Sequence, residues 1–410
     1  MNIVWVNHYA SRPTTGIGGR HYMLAKELMR KGHTVTIIAS SFRHNVGTDE
    51  ISAEGQMWKK EILDGVPFVW IKTPPYKGNG LDRIWNMLCF SYRVAAWTDE
   101  FNIGIPDVVI GSSPHPFAAV AASVIARRYR VPFVLEVRDL WPESLIEIGG
   151  MSPRNPGIWV LERIEKYLYK AADQIVTLLP GAVDHICQKG GVAEIVTWIP
   201  NGIDIALVPY TPPPNEAQFT VMYAGAHGLA NGLDSILDAA AILQCGDSSG
   251  KVRFVFIGDG PEKERLRARV KEEGLSIVSF EPYVPRTMIF EKLQEASIFI
   301  ATLRNIDLYK YGISLNKLYD YLACARPVVF GAKSINNPVE ESGGGITVPP
   351  EDAEAMAKAV IDIMNMPYEE RVKMGLKGRE YVGKHNDYGK LADRLEQVIY
   401  KAFNGSNENR

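Results

Sequence analysis

The loop after the first apolar run carries Gly16-Ile17-Gly18-Gly19-Arg20-His21, a glycine turn that could bring backbone amides and a helix N-terminus close to an anion. A dinucleotide fingerprint would need a third glycine where His21 stands. It would also need an acidic residue at the end of the second strand, where Ser40 and Ser41 stand, so NAD binding is disfavoured on two counts. No G-x-x-x-x-G-K-[ST] loop occurs. Gly258-Asp259-Gly260-Pro261 repeats the glycine device in the second half, with Pro261 suited to a first helical turn. The chain has no D-x-D pair, and its eight histidines show neither H-x-x-x-H nor H-x-H spacing, which leaves no metal site in view. Phosphate charge would then be met by amides, helix dipoles and cations. Arg138, Asp139 and Glu143 follow another apolar run, at a strand end of the kind where ligand contacts collect, and an ion pair inside that loop is the plain alternative.

The elements that must position these residues follow one rhythm. Short β-branched runs alternate with amphipathic stretches: NIVWVN, a helix over 19–31, TVTIIAS, PFVWIKT, a helix over 81–98, DVVIGS, a helix over 116–130, PFVLEVRD, a helix over 158–172, and QIVTLLP. Such alternation predicts βα units on a parallel sheet. Residues 202–218, with Pro209, Pro212, Pro213 and Pro214, break the rhythm as a linker would. A second series follows: FTVMYAG, 232–244, VRFVFIGDG, 261–273, SIVSFE, 286–296, SIFIATL, 315–324, PVVFGA and 353–365. The fold class is therefore α/β, with two doubly wound Rossmann-like domains expected to face one another across a cleft, over 1–205 and 206–385. Residues 386–410 are expected to form a helix and a frayed tail, NGSNENR.

Four hundred and ten residues suit two domains of that size, each able to bury its own core. Forty-five Lys and Arg against 47 Asp and Glu leave a net charge of -2, which demands no nucleic acid as partner. Cys89, Cys187, Cys245 and Cys324 lie far apart without a C-x-x-C pair, as in a reduced compartment. Met1 leads straight into NIVWVNHY without the basic and long apolar regions of a signal peptide, and the apolar run at 116–126 is too short to span a bilayer. A cytoplasmic location is the expectation. The helix over 81–98 is apolar on more than one face and carries Trp85, Phe90, Tyr92 and Trp97 beside Arg83 and Arg93. Burial against the sheet is the favoured reading, and a membrane interface the alternative.

Three segments carry a resemblance: YAGAHGLANGLDSILDAA at 223–240, FIGDGPEKERL at 256–266 and YGISLNKLYDYLACARPVV at 311–329. They resemble the donor-binding half of family 4 retaining glycosyltransferases with the GT-B fold. VLEVRDLWPES at 134–144 resembles a subgroup that builds bacterial O-antigen and capsular polysaccharide from N-acetylated hexosamines or their deoxy derivatives. The resemblance implies a metal-independent hexosyltransferase that needs no cofactor beyond its nucleotide-sugar donor, with UDP favoured as the nucleotide. It implies a polyprenyl-linked or oligosaccharide acceptor, and a place in the cytoplasm that extends to the inner face of the membrane. The first domain would bind the acceptor and the second the donor, with the last helix packing back on the first. A non-hydrolysing nucleotide-sugar epimerase and a non-catalytic sugar-nucleotide-binding subunit are the alternatives, since one architecture serves several reactions.

The same resemblance assigns residues. The family usually carries Glu-x7-Glu ahead of an A-C-G-x-P turn, the second Glu accepting both ribose hydroxyls. Here the second place is Asp320 and the first falls on Gly312, so the pair is incomplete. The nucleotide sugar is expected on Gly18, Gly19, Gly225, His227, Gly258, Gly260, Tyr283, Val284, Gly312, Ile313, Ser314, Leu315 and Asp320. Ser314 should cap a helix starting near Leu315, so that the amides of Gly312 to Leu315 point at the diphosphate. Relatives commonly place an Arg and a Lys around the donor glycine loop, where this chain has His227 and Asn231. Lys317, on the helical face of Asp320, is the nearest replacement as catalytic cation, with Arg304 and Lys310 as rivals. His115 matches a family histidine that touches the donor sugar, and is the second catalytic candidate; a turn histidine between prolines is the alternative. Arg20, Arg138, Asp139 and Glu143 are expected to contact acceptor or sugar.

Overall fold

The structure, a computed structural model, describes the chain except residues 14–17, 44–47, 52–54, 79, 216–217, 247–249 and 409–410. It holds two compact units, residues 1–200 together with 388–410, and residues 201–387.

The first unit is built on β1 (Asn2–Val6), β2 (Thr34–Ser40), a two-residue ribbon of β3 (Phe42–Arg43) and β4 (Thr48–Asp49), β5 (Trp58–Leu63), β6 (Val66–Ile71), β7 (Val108–Ser113), β8 (Phe133–Val137), β9 (Gln174–Thr177) and β10 (Val196–Trp198). The main sheet runs β10-β9-β8-β7-β1-β2-β6-β5. Every pair in it is parallel except the edge hairpin of β5 with β6. That hairpin was not anticipated, because WKKEIL is half-exposed and polar enough to pass for loop. Its signal was present in Asp64-Gly65, where both residues take positive φ, as a two-residue turn matched to strand twist requires. The helices are α1 (Arg20–Arg30), α2 (Leu81–Trp97), α3 (Pro116–Tyr129), α4 (Glu143–Glu147), α5 (Pro156–Ala171), α6 (Ala182–Gln188) and, from the chain end, the helix Tyr388–Glu408. That last helix puts Leu391, Leu395, Val398 and Ile399 into the same core as Leu24 and Leu28 of α1. The expected frayed tail is instead helical through Glu408.

The second unit carries β11 (Phe219–Ala224), β12 (Val252–Ile257), β13 (Val278–Glu281), β14 (Ile298–Thr302), β15 (Val328–Gly331) and β16 (Gly345–Val348) in the order β13-β12-β11-β14-β15-β16, all parallel. β11 and β14 are buried along their whole length, as strands covered by helices on both faces must be. Around them lie α7 (Leu233–Cys245), α8 (Lys263–Glu272), α9 (Ile289–Leu293), α10 (Asn316–Ala323), α11 (Pro338–Ser342), α12 (Ala353–Asn365) and α13 (Tyr368–His385). β16 and α11 had no strong periodic signal, being four and five residues long. The proline-rich segment is strapped down where a free linker was expected. The Ile203 amide donates to the Asn386 carbonyl at 2.9 Å. The fully buried Arg326 donates to the carbonyls of Thr211 at 2.7 Å and Pro212 at 3.4 Å.

Strand order reverses at β1/β7 in the first sheet and at β11/β14 in the second. In open α/β sheets the crevice outside the carboxyl ends at such a point is where ligands collect.

Candidate functional site

In the second unit, the turn after β11 and the turn after β12 lie backbone to backbone. The Gly225 amide donates to the Ile257 carbonyl at 2.9 Å, and the His227 amide to that of Asp259 at 2.8 Å. A Cβ on Gly258 would stand 2.0 Å from the Gly225 carbonyl oxygen, and one on Gly260 2.4 Å from that of His227. Both glycines also have positive φ, so only glycine lets the two turns close. The predicted residues Gly225, His227, Gly258 and Gly260 are thereby brought together. His227 is buried under the turn, with neither ring nitrogen hydrogen-bonded among the described residues, and burial pushes its pKa down to about 4. It is a neutral imidazole, packed near Phe280 and Tyr223.

Lys317, in the first turn of α10, reaches the same place. Its Nζ donates to the Tyr223 hydroxyl at 3.1 Å and to Oδ1 of Asn231, and its Cδ lies 3.6 Å from the Cβ position of Gly225. Asn231, at the place where relatives commonly carry a cation, thus accepts a hydrogen bond from Lys317. Neither partner carries charge, and burial lowers the Lys317 pKa to about 7. The rivals are placed otherwise: Arg304 is exposed with its Nε 4.0 Å from Glu351, and Lys310 is exposed over the ring of Tyr311.

Several expected contacts take different partners. Helix α10 starts at Asn316 with Leu315 as N-cap and no side-chain cap, because the Ser314 hydroxyl accepts the Asn201 amide at 2.8 Å instead. The Gly312 amide already donates to the Tyr309 carbonyl, and that of the buried Ile313 to Oδ1 of Asn336 at 2.8 Å. Those two amides are not available to a diphosphate as drawn from the sequence. Asp320 is buried and receives both Nη groups of Arg286, at 2.5 and 2.7 Å. A ribose at Asp320 must share the carboxylate with that guanidinium. Tyr283 is exposed, and Val284 packs against the core of this unit.

In the first unit Gly19 is the N-cap of α1, and a Cβ on Gly18 would meet the ring of Tyr22 at 2.5 Å. Gly16 and Ile17 lie outside the described residues. Arg20, expected to contact acceptor or sugar, takes internal partners instead. It is buried, with Nε donating to Glu136 at 2.8 Å and Nη2 to the Ile199 carbonyl at 3.0 Å. The same carboxylate accepts the Ser112 hydroxyl at 2.5 Å and faces His21 Nε2 at 2.8 Å. Burial alone would raise the Glu136 carboxyl, but the hydrogen bond from His21 and the guanidinium charges of Arg20 and Arg138 hold it well below the usual range. Burial keeps His21 neutral, with a pKa near 4. This is a structural knot across β7, β8 and α1.

His115, the N-cap of α3, follows β7 at the switch point, with His8 of the β1 turn edge-on at 4.7 Å. It is fully buried, its ring nitrogens lack partners among the described residues, and burial holds its pKa well below the usual value. The Arg138 amide donates to the Ser113 hydroxyl at 3.1 Å, and Asp139 is exposed. Glu143 pairs away from that loop, 3.9 Å from both His185 Nδ1 and Lys189 Nζ. Spacing gave no hint that Glu143, Glu165 and His185 would meet, their ligand atoms lying within 4.8 Å of one another. His185 Nε2 is 2.7 Å from Glu165, and Lys189 already brings a cation to the group.

Residues 15–202 match the glycosyl transferase 4-like domain, and residues 218–366 match glycosyl transferases group 1. The chain is 22% identical over 303 residues to "Probable glycosyltransferase WbjE" of Pseudomonas aeruginosa, covering 70% of this chain and 72% of that one. Among solved structures it is similar to sucrose-phosphate synthase from Thermosynechococcus elongatus, with a TM-score of 0.75 at 16% identity over 98% of this chain and 99% of the other. It is also similar to Anabaena Alr3699/HepE, solved in complex with UDP and glucose, with a TM-score of 0.66 at 15% identity over 98% and 99% of the chains.

Proposed function

Given that the chain belongs to the family 4 glycosyltransferases with the GT-B fold, we propose that it moves a hexosyl residue, of the N-acetylated or deoxy kind, from a UDP-sugar to a polyprenyl-linked or oligosaccharide acceptor in bacterial surface polysaccharide synthesis. One observation carries the donor half of this reading. A desolvated lysine without a carboxylate partner among the described residues, Lys317, stands beside the Gly225 turn at the carboxyl end of β11. An uncompensated cation is costly in a folded protein unless an anion arrives to meet it, and a diphosphate is such an anion.

In this reading Lys317 meets the charge that develops on the leaving diphosphate, and the uncapped N-terminus of α10 adds its dipole. Asp320, steadied by Arg286, takes the ribose hydroxyls. In the first unit this reading assigns the sugar contact to the neutral His115, the N-cap of α3 after β7, and the acceptor contact to Arg138 and Asp139, which follow the end of β8. Retention of configuration is taken by front-face displacement, in which the departing phosphate helps to remove the acceptor proton and no dedicated base is required. UDP as the nucleotide is supported by a fold neighbour solved with UDP and glucose.

The test is a thermal-shift screen of nucleoside diphosphates in EDTA, followed by mass spectrometry of a UDP-sugar panel with candidate acceptors. UDP should stabilise the protein without divalent metal. A shift that vanishes in EDTA and returns with magnesium or manganese contradicts the metal-free part. Appearance of an epimerised donor in the absence of any acceptor contradicts the transfer part.

A further inference from the structure

Helix α2 is apolar on two opposite faces, and the described residues cover one of them. Asn86, Met87, Phe90 and Val94 are buried against the first unit. The other stripe, Leu81, Ile84, Trp85, Leu88 and Tyr92, keeps the i, i+3, i+4, i+7 spacing and faces out, with Leu81 81%, Tyr92 71% and Trp85 60% exposed. Burial against the sheet was the favoured expectation for this helix, and it holds for Phe90 but not for Trp85 or Tyr92. Across a groove of about 630 Å³ the stripe continues onto α5, where Trp159 and Val160 are also exposed. The groove walls come from α2, α3 and α5 and are apolar at Leu88, Phe117, Val124, Val160 and Ile164. A contiguous outward face of this kind marks an interaction surface.

We propose that the α2–α3–α5 face of the first unit docks on an anionic lipid bilayer, with the aromatic stripe in the interface and the groove taking a lipid chain. The charge of the face selects this occupant. Arg127, Arg130, Arg163, Lys166 and Lys170 are all exposed on α3, its C-cap and α5, and the exposed Arg128 among them pairs with Asp99 at 3.3 Å. α3 contains no acidic residue, and on α5 Glu165 is buried while Glu162 lies 3.1 Å from Lys189. This basic surplus occurs in a chain whose net charge is -2. Arg163 lines the groove and its guanidinium sits 3.7 Å from the centre of the Trp159 ring, while Arg127 reaches the hydroxyl of Tyr167 on the groove wall at 2.7 Å. Aromatic rings with arginines beside them match the boundary between headgroups and acyl chains. No helix among the described residues is long and apolar enough to cross a membrane, so the docking is in the plane of the interface. This surface goes beyond the transfer reading and does not depend on it.

The test uses the full chain and vesicles of phosphatidylcholine, alone and mixed with phosphatidylglycerol, read by co-sedimentation and by tryptophan emission. The protein should sediment with the anionic vesicles, with a blue shift, and less so as salt rises. Trp85→Ser with Tyr92→Ser and Trp159→Ser should weaken partitioning at least about tenfold. Arg127→Gln with Arg163→Gln should remove the preference for anionic lipid. Circular dichroism and melting of each variant report folding, and single Trp85→Ser serves if the triple variant does not fold. Light scattering across a concentration series reads self-association. Absence of binding to either vesicle, equal binding to both, or a dimer that the triple variant abolishes each overturns the proposal, the last by giving the face to a second copy. Transfer to a water-soluble acceptor should be the same in wild type and aromatic variants, so failure here leaves the UDP test standing.

Discussion

Replacing Lys317 by Met should weaken UDP binding and stabilise the empty protein at once. Among the described residues the ammonium meets the Tyr223 hydroxyl and ring and the Asn231 side chain, none of them charged, and burial brings its pKa to about 7. A bound diphosphate supplies the missing counter-charge and must raise that pKa. Above pH 7 the empty site has lost its proton, so binding has to recapture one, and the UDP Kd should rise about tenfold per pH unit until the pKa of the complex is reached. The useful window is about pH 7.5 to 9, where the terminal phosphate, with a pKa of about 6, is already ionised. Removing a charge-assisted contact costs about 1.5–3 kcal/mol, or roughly ten- to hundredfold in Kd near pH 7. The stability effect has the opposite sign. The folded pKa lies below the ordinary 10.5, so the unfolded chain holds the extra proton between about 7 and 10.5. Lys317 therefore destabilises the empty fold most below pH 7, and that cost fades as pH rises. The Met variant should melt higher at pH 7, with a margin that shrinks towards pH 10. Titration calorimetry in buffers of different ionisation enthalpy measures the proton taken up, and a thermal melt measures the margin. A wild-type Kd flat from pH 7.5 to 9 without proton uptake would refute the reasoning. So would wild-type UDP affinity and turnover in Lys317→Met when Arg304→Met or Lys310→Met loses both.

Asp320→Asn should raise the donor KM about tenfold with little change in kcat, because ribose contacts are alike in ground and transition states; steady-state kinetics showing an equal fall in kcat would reassign the residue. His21, brought by burial to about 4, resists a proton that the unfolded chain accepts near 6.5. Unfolding free energy should therefore fall by roughly 3 kcal/mol between pH 6.5 and 4. The Glu136 contribution, with its pKa held low, persists through that window and is lost only in stronger acid. Urea titrations should show a shallower fall in His21→Gln, and an identical slope contradicts the assignment. Truncation after Asp387 removes Leu391, Leu395, Val398 and Ile399 from the first unit's core and should abolish its cooperative unfolding, whereas ending the chain at Phe403 should be neutral by circular dichroism melts.

The alternation of apolar runs with amphipathic stretches was enough to place most strands and helices, because a parallel sheet buried on both faces writes continuous β-branched runs such as VRFVFI and SIFIAT. The family was legible for a similar reason: its glycine turns and the LNKLYDYLACARPVV segment are local strings. Local strings do not state their partners. Arg20 reads as a cation beside a glycine turn, yet its role is set by Glu136, 116 residues on. Asp320 meets Arg286 from 34 residues before it, and Lys317 meets Asn231 from 86 before it. The β5 edge strand was missed because one of its faces is wet, which blurs the alternation that marks a strand. Periodicity showed that α2 has two apolar faces, but only packing decides which of them is covered. A helix's period is fixed by its own backbone geometry, whereas burial, charge pairing and pKa depend on which distant segments the folded chain brings within a few ångströms.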